Sequence, residues 1–538
     1  MKRFLAFLSL SAGIASADVS LPAVFSDGMV LQQLQLVPVW GTAQPGEQVK
    51  VTFGEQTQQA TAGKDGRWSV TLNPLNSSDK PAELIVAGRS TRTIKNVLVG
   101  EVWVCSGQSN MGMTVARSLN PEAEAAAAKF PAIRMFSVER QPAQESQTDC
   151  KGEWKEANSA NVGNFSAAAY FFGRHLHQAL KVPVGLINTS WGGTRVEAWT
   201  SQEALAQRPC AQEMLADWKD VSSKWDAATE QAAFDQRKAQ WQAEVKKIDE
   251  QNKKAAAGTA KLPRPSAPRP PDDPTKTPHR PSVLFNGMIA PLIPYGIKGA
   301  IWYQGESNQR RAVQYQELLP TLINDWRKRW DSEFPFYIVQ LASFGNGKPT
   351  SIAAGEADSW AELQEAQLLT AQTLPKCGLA VANDIGEEKD IHPKNKQEVG
   401  RRLALWALAK DYGKTGAVFS GPMYRSSSIE GGKVRIQFDH VGTGLKTRDG
   451  KAPGHLQIAG ADQKWHWAQA RIEGADIVVW HDAVKEPVGV RYAWAAWPVG
   501  ANFINAEGLP ASCFRTDPFI PSTLGVVSPF KETVPVKK

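Results

Sequence analysis

Four short polar segments each follow an apolar stretch, and their residue types suit acyl-transfer chemistry. They are GQSNM at 107–111, WGGT at 191–194, YQGESN at 303–308 and DIHP at 390–393. A serine hydroxyl becomes a nucleophile when an imidazole takes its proton. We therefore take Ser109 as the candidate nucleophile and His392 as its candidate base, although a serine in such a turn could also be an ordinary helix cap.

A carboxylate would have to orient His392, and three residues compete for this role. Asp390 stands two positions before His392, Asp384 precedes it in the same loop, and Glu306 lies in the YQGESN segment. A carboxylate holds the imidazole in the correct tautomer and stabilises the imidazolium. Asp390 is the first choice, and Asp384 and Glu306 stay open.

Two segments contain groups that could donate hydrogen bonds to a developing oxyanion. The paired Gly192 and Gly193 let backbone N–H groups approach a substrate oxygen, and Gln304 and Asn308 carry side-chain amides. A Gly-Gly pair can also be a simple tight turn.

Metal and nucleotide chemistry fit the sequence less well. A cluster of carboxylates surrounds His392, but its spacing matches neither H-E-x-x-H nor a calcium loop. No phosphate-binding glycine pattern follows a strand. We therefore expect neither a metal nor a cofactor.

The pattern of strands and helices predicts how the four segments come together. Apolar runs such as VLVGEVWVCSG, VGLINTSWGG, IKGAIWYQG, PFYIVQLASF and GLAVAND alternate with helical patterns. This alternation predicts a three-layer α/β/α core with a parallel sheet. Ligands bind at the carboxyl ends of such strands, which is where the polar segments stand.

The regions around this core have different patterns. We predict a β-sandwich over 18–98, the core over 99–201 and 283–412, an insertion over 202–282, and a β-rich domain over 413–538. The insertion combines Trp-containing helices with a proline-dense linker. Its aromatic residues could pack on the body of the protein or stack on a sugar.

Composition limits the location and the partners. The chain has 538 residues and a net charge of +7, with no clustered basic patch typical of nucleic-acid binding. Residues 1–17 have the basic start, apolar run and small-residue end of a cleaved secretory signal, and no later segment is long enough to span a membrane. We expect a secreted or periplasmic protein.

At least one of the five cysteines must lack a partner within the chain, and at most one or two disulfides are expected. The oligomeric state is left open.

Together the four segments resemble the SGNH hydrolases, and specifically the sialate O-acetylesterases. The resemblance extends to VFSDGMVLQQ near the start and NAEGLPASCFRTD near the end, and covers most of the chain except the insertion. It implies that Ser109 is the nucleophile and His392 the base, with an oxyanion hole of the Ser109 N–H, Gly192 or Gly193, and one amide. Gln108, Trp191, Arg195 and Glu306 are candidates for substrate binding.

The sequence departs from the common family pattern at two places. The usual Gly-x-Asn is here the longer Gly305-x-x-Asn308, so that Gln304 and Asn308 compete for the oxyanion hole. The usual Asp-x-x-His is here Asp390-x-His392.

The resemblance implies a serine esterase that removes O-acetyl groups from sialic acid or a related glycan. An acetylxylan or other plant-polysaccharide acetylesterase is the alternative within this class. A carbohydrate-binding surface protein without activity is the alternative from another class.

Overall fold

The computed structural model describes residues 18–254, 260–345, 353–414 and 416–532. The predicted signal peptide lies outside the described residues.

In the N-terminal region the side chains of Gln48–Phe53 and Arg67–Leu72 alternate between buried and exposed, as expected for strands with one face on a core. The strands of this region are β1 (Val30–Gln32), β2 (Val37–Thr42), β3 (Gln48–Phe53), β4 (Gln56–Thr61), β5 (Arg67–Leu72) and β6 (Ser78–Ala87).

One long strand, β7 (Thr91–Gly107), joins this region to the core. Its first half pairs antiparallel with β6 and its second half lies in the central sheet. Every residue from Val97 to Gly107 is buried, which agrees with a strand covered on both faces. The strand therefore crosses the predicted boundary between residues 98 and 99 without a break.

The central sheet has the order β13-β12-β11-β7-β10-β8-β9. All neighbouring pairs are parallel except β8 and β9, which are antiparallel. The prediction of a mostly parallel α/β core is confirmed. The strands besides β7 are β8 (Lys129–Ser137), β9 (Trp154–Asn158), β10 (Val184–Ser190), β11 (Gly299–Tyr303), β12 (Phe336–Val339) and β13 (Cys377–Ala380).

Helices cover both faces of this sheet. The α-helices of the described residues are α1 (Ser109–Gly112), α2 (Pro121–Ala127), α3 (Ala167–Leu180), α4 (Gln202–Ala206), α5 (Pro209–Lys224), α6 (Ala227–Lys254), α7 (Ala312–Trp330), α8 (Ser359–Thr373) and α9 (Lys396–Lys410). Successive side chains on a strand point to opposite faces. Phe336 of β12 contacts Trp326 of α7, whereas Tyr337 contacts Trp406 of α9. Helices α7 and α9 therefore lie on opposite faces of the sheet.

The insertion forms α4 to α6 followed by the proline-dense linker. Trp218 of α5 is buried and meets the ring of Phe530 edge to face, with the centroids 4.9 Å apart. The linker returns along α6, where the indole N–H of Trp241 donates to the Pro265 carbonyl at 2.8 Å. Trp218 packs on the body of the protein, as the packing interpretation expects, whereas Trp241 contacts the linker of the insertion itself.

The C-terminal region is antiparallel and has its own core, which includes Ile436, Ile458, Ile477 and Val490. Beyond it the chain returns to the α/β core, where the Gln314 amide of α7 donates to the Val527 carbonyl at 2.7 Å. The strands of this region are β14 (Met423–Glu430), β15 (Lys433–Asp439), β16 (Leu445–Thr447), β17 (Leu456–Ala459), β18 (Trp465–Trp467), β19 (Gln469–Glu473), β20 (Asp476–Trp480), β21 (Gly489–Tyr492), β22 (Phe503–Asn505) and β23 (Phe514–Arg515).

In the described part of the chain, no helix has the length and apolar character needed to cross a membrane. All five cysteines are unpaired, and three of them, Cys105, Cys150 and Cys513, are buried.

The contact between α3 and α9 depends on Gly400. A Cβ atom at this position would lie 2.5 Å from the Cβ of Phe171 and 2.5 Å from the backbone N of Phe172. We predict that Gly400→Ala lowers the free energy of unfolding by about 1–3 kcal/mol, because the overpacking outweighs the better helix propensity of alanine. Urea denaturation measures it. The control Gly163→Ala, whose Cβ would have its nearest neighbour at 4.0 Å, should change stability little. Equal effects of the two substitutions would contradict the packing argument.

Candidate active site

Three of the polar segments begin at the same level of the sheet. Gly107 at the end of β7 lies opposite Ser190 of β10 and opposite Tyr303 of β11. Gly107 has a φ of 140°, and a Cβ there would lie 2.2 Å from the Tyr303 carbonyl oxygen. Only glycine therefore fits where β7 ends, and the turns that follow β7, β10 and β11 meet at one edge.

Ser109 and His392 meet at this edge, although 283 residues separate them. The Nε2 atom of His392 lies 2.8 Å from the Oγ of Ser109, which is hydrogen-bond distance. The Nδ1 atom of the same ring faces the Asp390 carboxylate. Since a carboxylate can only accept, Nδ1 carries the proton and Nε2 accepts the hydrogen bond from the serine hydroxyl.

The structure separates the three candidate carboxylates. Asp390 Oδ1 lies 3.4 Å from His392 Nδ1 and also accepts the His392 backbone N–H at 2.9 Å. Asp384 is paired with both terminal nitrogens of the Arg402 guanidinium at 2.6 and 2.9 Å. Glu306 accepts from the amide of Asn110 at 2.5 Å. Among the described residues, Asp390 is thus the carboxylate of the three that contacts the His392 ring.

The surroundings of His392 favour the neutral imidazole. Burial lowers its pKa below the ordinary value of 6.5, and the nearby cations Lys396 and Arg117 lower it further, whereas Asp390 raises it. A general base must be unprotonated at its working pH. The lowered pKa keeps His392 in the form that can take a proton from Ser109 at neutral pH.

The glycine turn after β10 lies directly against the serine. A Cβ atom at Gly192 would be 3.2 Å from the Cβ of Ser109. Gly193 has a φ of 76°, which favours glycine. Within the described residues, neither Ser109 nor Gly192 donates its backbone N–H to another protein group. Both N–H groups can therefore donate to an oxyanion.

The two competing amides lie beneath this turn and support it. Gln304 Nε2 donates to the Thr194 carbonyl at 3.2 Å and to Asn308 Oδ1 at 2.7 Å. Asn308 Oδ1 also accepts the Val196 N–H at 3.0 Å, and its Nδ2 donates to Glu197 at 2.9 Å. Both amides are fully buried. The contacts of Gln304 and Asn308 are with the turn rather than with a substrate position.

A buried ion pair lies next to the glycine turn and stabilises it through Asn308. Glu197 and Arg311 are both fully buried, and Arg311 Nη2 lies 2.5 Å from Glu197 Oε1. Burial opposes the ionisation of Glu197, but Arg311, Arg195 and the Asn308 amide hold its pKa below the ordinary value. Glu532 from the C-terminal segment accepts from Arg311 Nε at 2.9 Å. The final residues of the described chain thereby contribute to the site.

The remaining candidates for substrate binding differ in their exposure. Gln108 is almost fully buried, and its Oε1 accepts from the backbone N–H of Gly305 at 3.3 Å, so it joins two of the turns. Trp191 is half-buried against the core. The Arg195 side chain is 22% exposed and lies 3.9 Å from Glu532. Of these residues, Arg195 is best placed to reach a charged ligand.

Sequence reasoning did not assign Lys396, which is fully buried behind the site. Its ammonium donates to Asn110 Oδ1 and to the Pro393 carbonyl, both at 2.7 Å. Lys396 is the first residue of α9, where a cation is unfavourable because the helix dipole is positive at that end. A lysine at the N-terminal end of a predicted helix is the sequence feature that could have indicated a role in the site.

A parallel α/β sheet with a serine and a histidine in contact at the carboxyl ends of its strands defines a hydrolase of the serine type. Comparison of the sequence with known families identifies the class of hydrolase more specifically. A family model described as "Carbohydrate esterase, sialic acid-specific acetylesterase" matches residues 99–248 and 285–409. The chain belongs to this family and is a carbohydrate O-acetylesterase.

Curated relatives and a solved structure agree with this assignment. Mouse sialate O-acetylesterase is 30% identical over 536 residues, which cover 92% of each chain. The human sialate O-acetylesterase is 29% identical, with 91% of this chain and 89% of the relative covered. The crystal structure of a carbohydrate acetylesterase from Xanthomonas citri is 35% identical, covers 93% of this chain and all of that one, and has a TM-score of 0.77.

The surroundings of His392 predict how activity depends on pH. Because protonated imidazole cannot accept the serine proton, kcat/KM falls as the pH drops through the pKa of His392. Since that pKa is lowered, we predict that kcat/KM for 4-nitrophenyl acetate is half-maximal below pH 6.5 and reaches a plateau above it. A pH profile at constant ionic strength measures this. A midpoint above pH 6.5 would contradict the role of burial and of the two cations.

Proposed function

We propose that this protein is a secreted serine esterase that removes O-acetyl groups from sialic acid or a related acetylated glycan through an acetyl-enzyme intermediate. The observation that carries the proposal is the 2.8 Å contact between Ser109 Oγ and His392 Nε2 at the carboxyl edge of the sheet. It occurs in a member of the acetylesterase family, next to a turn whose Gly192 N–H donates to no other protein group among the described residues.

In the proposed mechanism, Ser109 Oγ attacks the acetyl carbonyl carbon while His392 Nε2 takes the hydroxyl proton. The N–H groups of Ser109 and Gly192 stabilise the negative charge on the carbonyl oxygen. The sugar oxygen then leaves with the proton from Nε2, and the acetyl group remains on Ser109. A water molecule then gives a proton to the same nitrogen and attacks the acetyl carbon. The bond to Ser109 Oγ breaks, Oγ takes the proton back from Nε2, and acetate leaves.

The charge near the site favours an acidic sugar over a neutral one. Arg195 follows the glycine turn that contacts Ser109, and its side chain is 22% exposed. Its nearest carboxylate, Glu532, lies at 3.9 Å, while that same oxygen accepts a shorter bond from Arg311. A guanidinium with a long internal contact can bind the carboxylate of a sialic acid. The surplus of positive charge over the chain acts in the same direction.

Secretion is part of the proposal and rests on residues 1–17. Their basic start, apolar run and the small residues before Asp18 support cleavage after Ala17.

The nucleophile is tested by Ser109→Ala. We predict that this substitution lowers kcat for 4-nitrophenyl acetate by at least about 10⁴-fold, because no other group of the site replaces the hydroxyl. The matched control is Ser106→Ala, three residues earlier in β7, whose hydroxyl makes only a 3.4 Å contact with the Thr189 carbonyl. This control should keep its activity. A fluorophosphonate probe should label the wild type and the control but not S109A, and an S109A protein with substantial turnover would refute the assignment.

The substrate class is tested by comparing acetate release from O-acetylated sialic acid and from acetylated xylan, with the wild type and Arg195→Gln. Loss of a charge-assisted bond costs about 1.5–3 kcal/mol, or roughly 10- to 100-fold in kcat/KM. We therefore predict that R195Q loses at least tenfold more kcat/KM on the acidic sugar than on xylan. A wild type that prefers xylan, with equal losses for R195Q, would favour the plant-polysaccharide alternative.

A further inference from the structure

A chain of buried hydrogen bonds connects the loop that carries His392 to the residue that follows Ser109. Asn110 is 1% exposed and Lys396 is fully buried. The Asn110 Nδ2 group donates to the Ile391 carbonyl at 3.0 Å and to Glu306 Oε1 at 2.5 Å. The Lys396 ammonium donates to Asn110 Oδ1 and to the Pro393 carbonyl, both at 2.7 Å.

The orientation of the Asn110 amide follows from its neighbours. An ammonium group can only donate, so the oxygen of the amide must face Lys396. The nitrogen then faces a carbonyl and a carboxylate, which can both accept. The amide thus bridges a cation and an anion, an arrangement in which each hydrogen bond polarises the next.

These contacts hold the backbone carbonyl groups of the residues on either side of the base. Ile391 precedes His392 and Pro393 follows it, and the carbonyl of each is a partner in the network. At the other end, Asn110 is covalently joined to Ser109. The distance between the base and the nucleophile is therefore set by groups one residue away from each of them.

The carboxylate beside His392 is less suited to this task. The Asp390 side chain is 46% exposed, and its 3.4 Å distance to Nδ1 is longer than that of a strong charge-assisted hydrogen bond. Exposed pairs of this kind contribute little, about 0–1 kcal/mol. The Lys396 and Asn110 contacts are shorter and shielded from water.

We propose that Lys396, acting through Asn110, is the principal positioning residue of the active site: it holds His392 at hydrogen-bond distance from Ser109. Neither residue touches the reacting atoms. The proposal rests on the esterase function proposed above and adds how that site is held together.

Charged side chains face Lys396 from several segments of the chain. Glu306 follows β11, Glu387 and Asp390 lie in the loop before His392, and Arg117 follows α1. Its ammonium also lies 5.1 Å from the centre of the Tyr303 ring. Burial lowers the pKa of Lys396 to about 7, against the three carboxylates, which raise it, so the lysine is charged over the acidic range in which His392 titrates.

The experiment compares Lys396→Met with Asp390→Asn and with the control Lys394→Met, an exposed lysine of the same loop. Misplacing a catalytic base by about 1 Å can lower the reaction rate roughly 10²-fold. We therefore expect the kcat of K396M for 4-nitrophenyl acetate to be roughly 10²-fold lower than that of the wild type. D390N should lose only about fivefold, and K394M should behave as the wild type. The acid limb of the kcat/KM profile should move upward by about half a pH unit in K396M, because removing a cation favours the imidazolium.

A double-mutant cycle separates this network from general damage to the fold. Asn110→Ala should lose about as much kcat as K396M, and the double variant should lose little more than either, because all three break the same chain of bonds. Losses that multiply in the double variant would refute the proposal. So would a folded K396M whose kcat and acid limb match those of the wild type.

If K396M does not fold, N110A carries the test alone, and a folded N110A with kcat within about threefold of the wild type would refute the network. Failure of the two proposals can be told apart. A wild type without ester turnover refutes the esterase function and this inference together, whereas an active wild type and an inactive S109A with an unaffected K396M refute only the inference.

Discussion

The active site depends on one constraint of the central sheet, which is that Gly107 lies level with Ser190 on one neighbouring strand and with Tyr303 on the other. Parallel strands end at a common edge, so three turns that are far apart in the chain begin side by side. The absence of a side chain at Gly107 lets the Tyr303 carbonyl approach β7 closely. From this edge, a turn of a few residues is enough to bring Ser109 against Gly192 and His392.

The polar residues around this edge divide into those that face the substrate position and those that hold the turns. Glu197, Arg311, Gln304 and Asn308 are fully buried and satisfy one another and the backbone of the glycine turn. Breaking a buried, hydrogen-bonded ion pair is expensive, about 3–5 kcal/mol when one partner is removed. Such a network keeps the turn in one conformation, which a site with preorganised donors requires.

A second buried network stands behind the histidine, and the two networks use different chemistry. Under the glycine turn, Arg311 pairs directly with Glu197. Behind His392, an amide separates the ammonium of Lys396 from the carboxylate of Glu306. The amide carries hydrogen bonds to the backbone as well as to the charges, and it therefore connects electrostatics with loop geometry. The exposed Asp390 completes the surroundings of the imidazole from the solvent side.

The sequence by itself determined the strands, the helices of the core and the four polar segments, because burial on both faces and helical periodicity leave strong local patterns. The apolar run VLVGEVWVCSG is buried along its whole length in β7, and Ser109 and His392 meet as their residue types suggested. Tertiary structure alone decided the partners of buried polar groups. Asp384 pairs with Arg402, Glu306 with Asn110, and Gln304 with the turn, because a hydrogen bond depends on position in space and leaves no periodic trace in the chain.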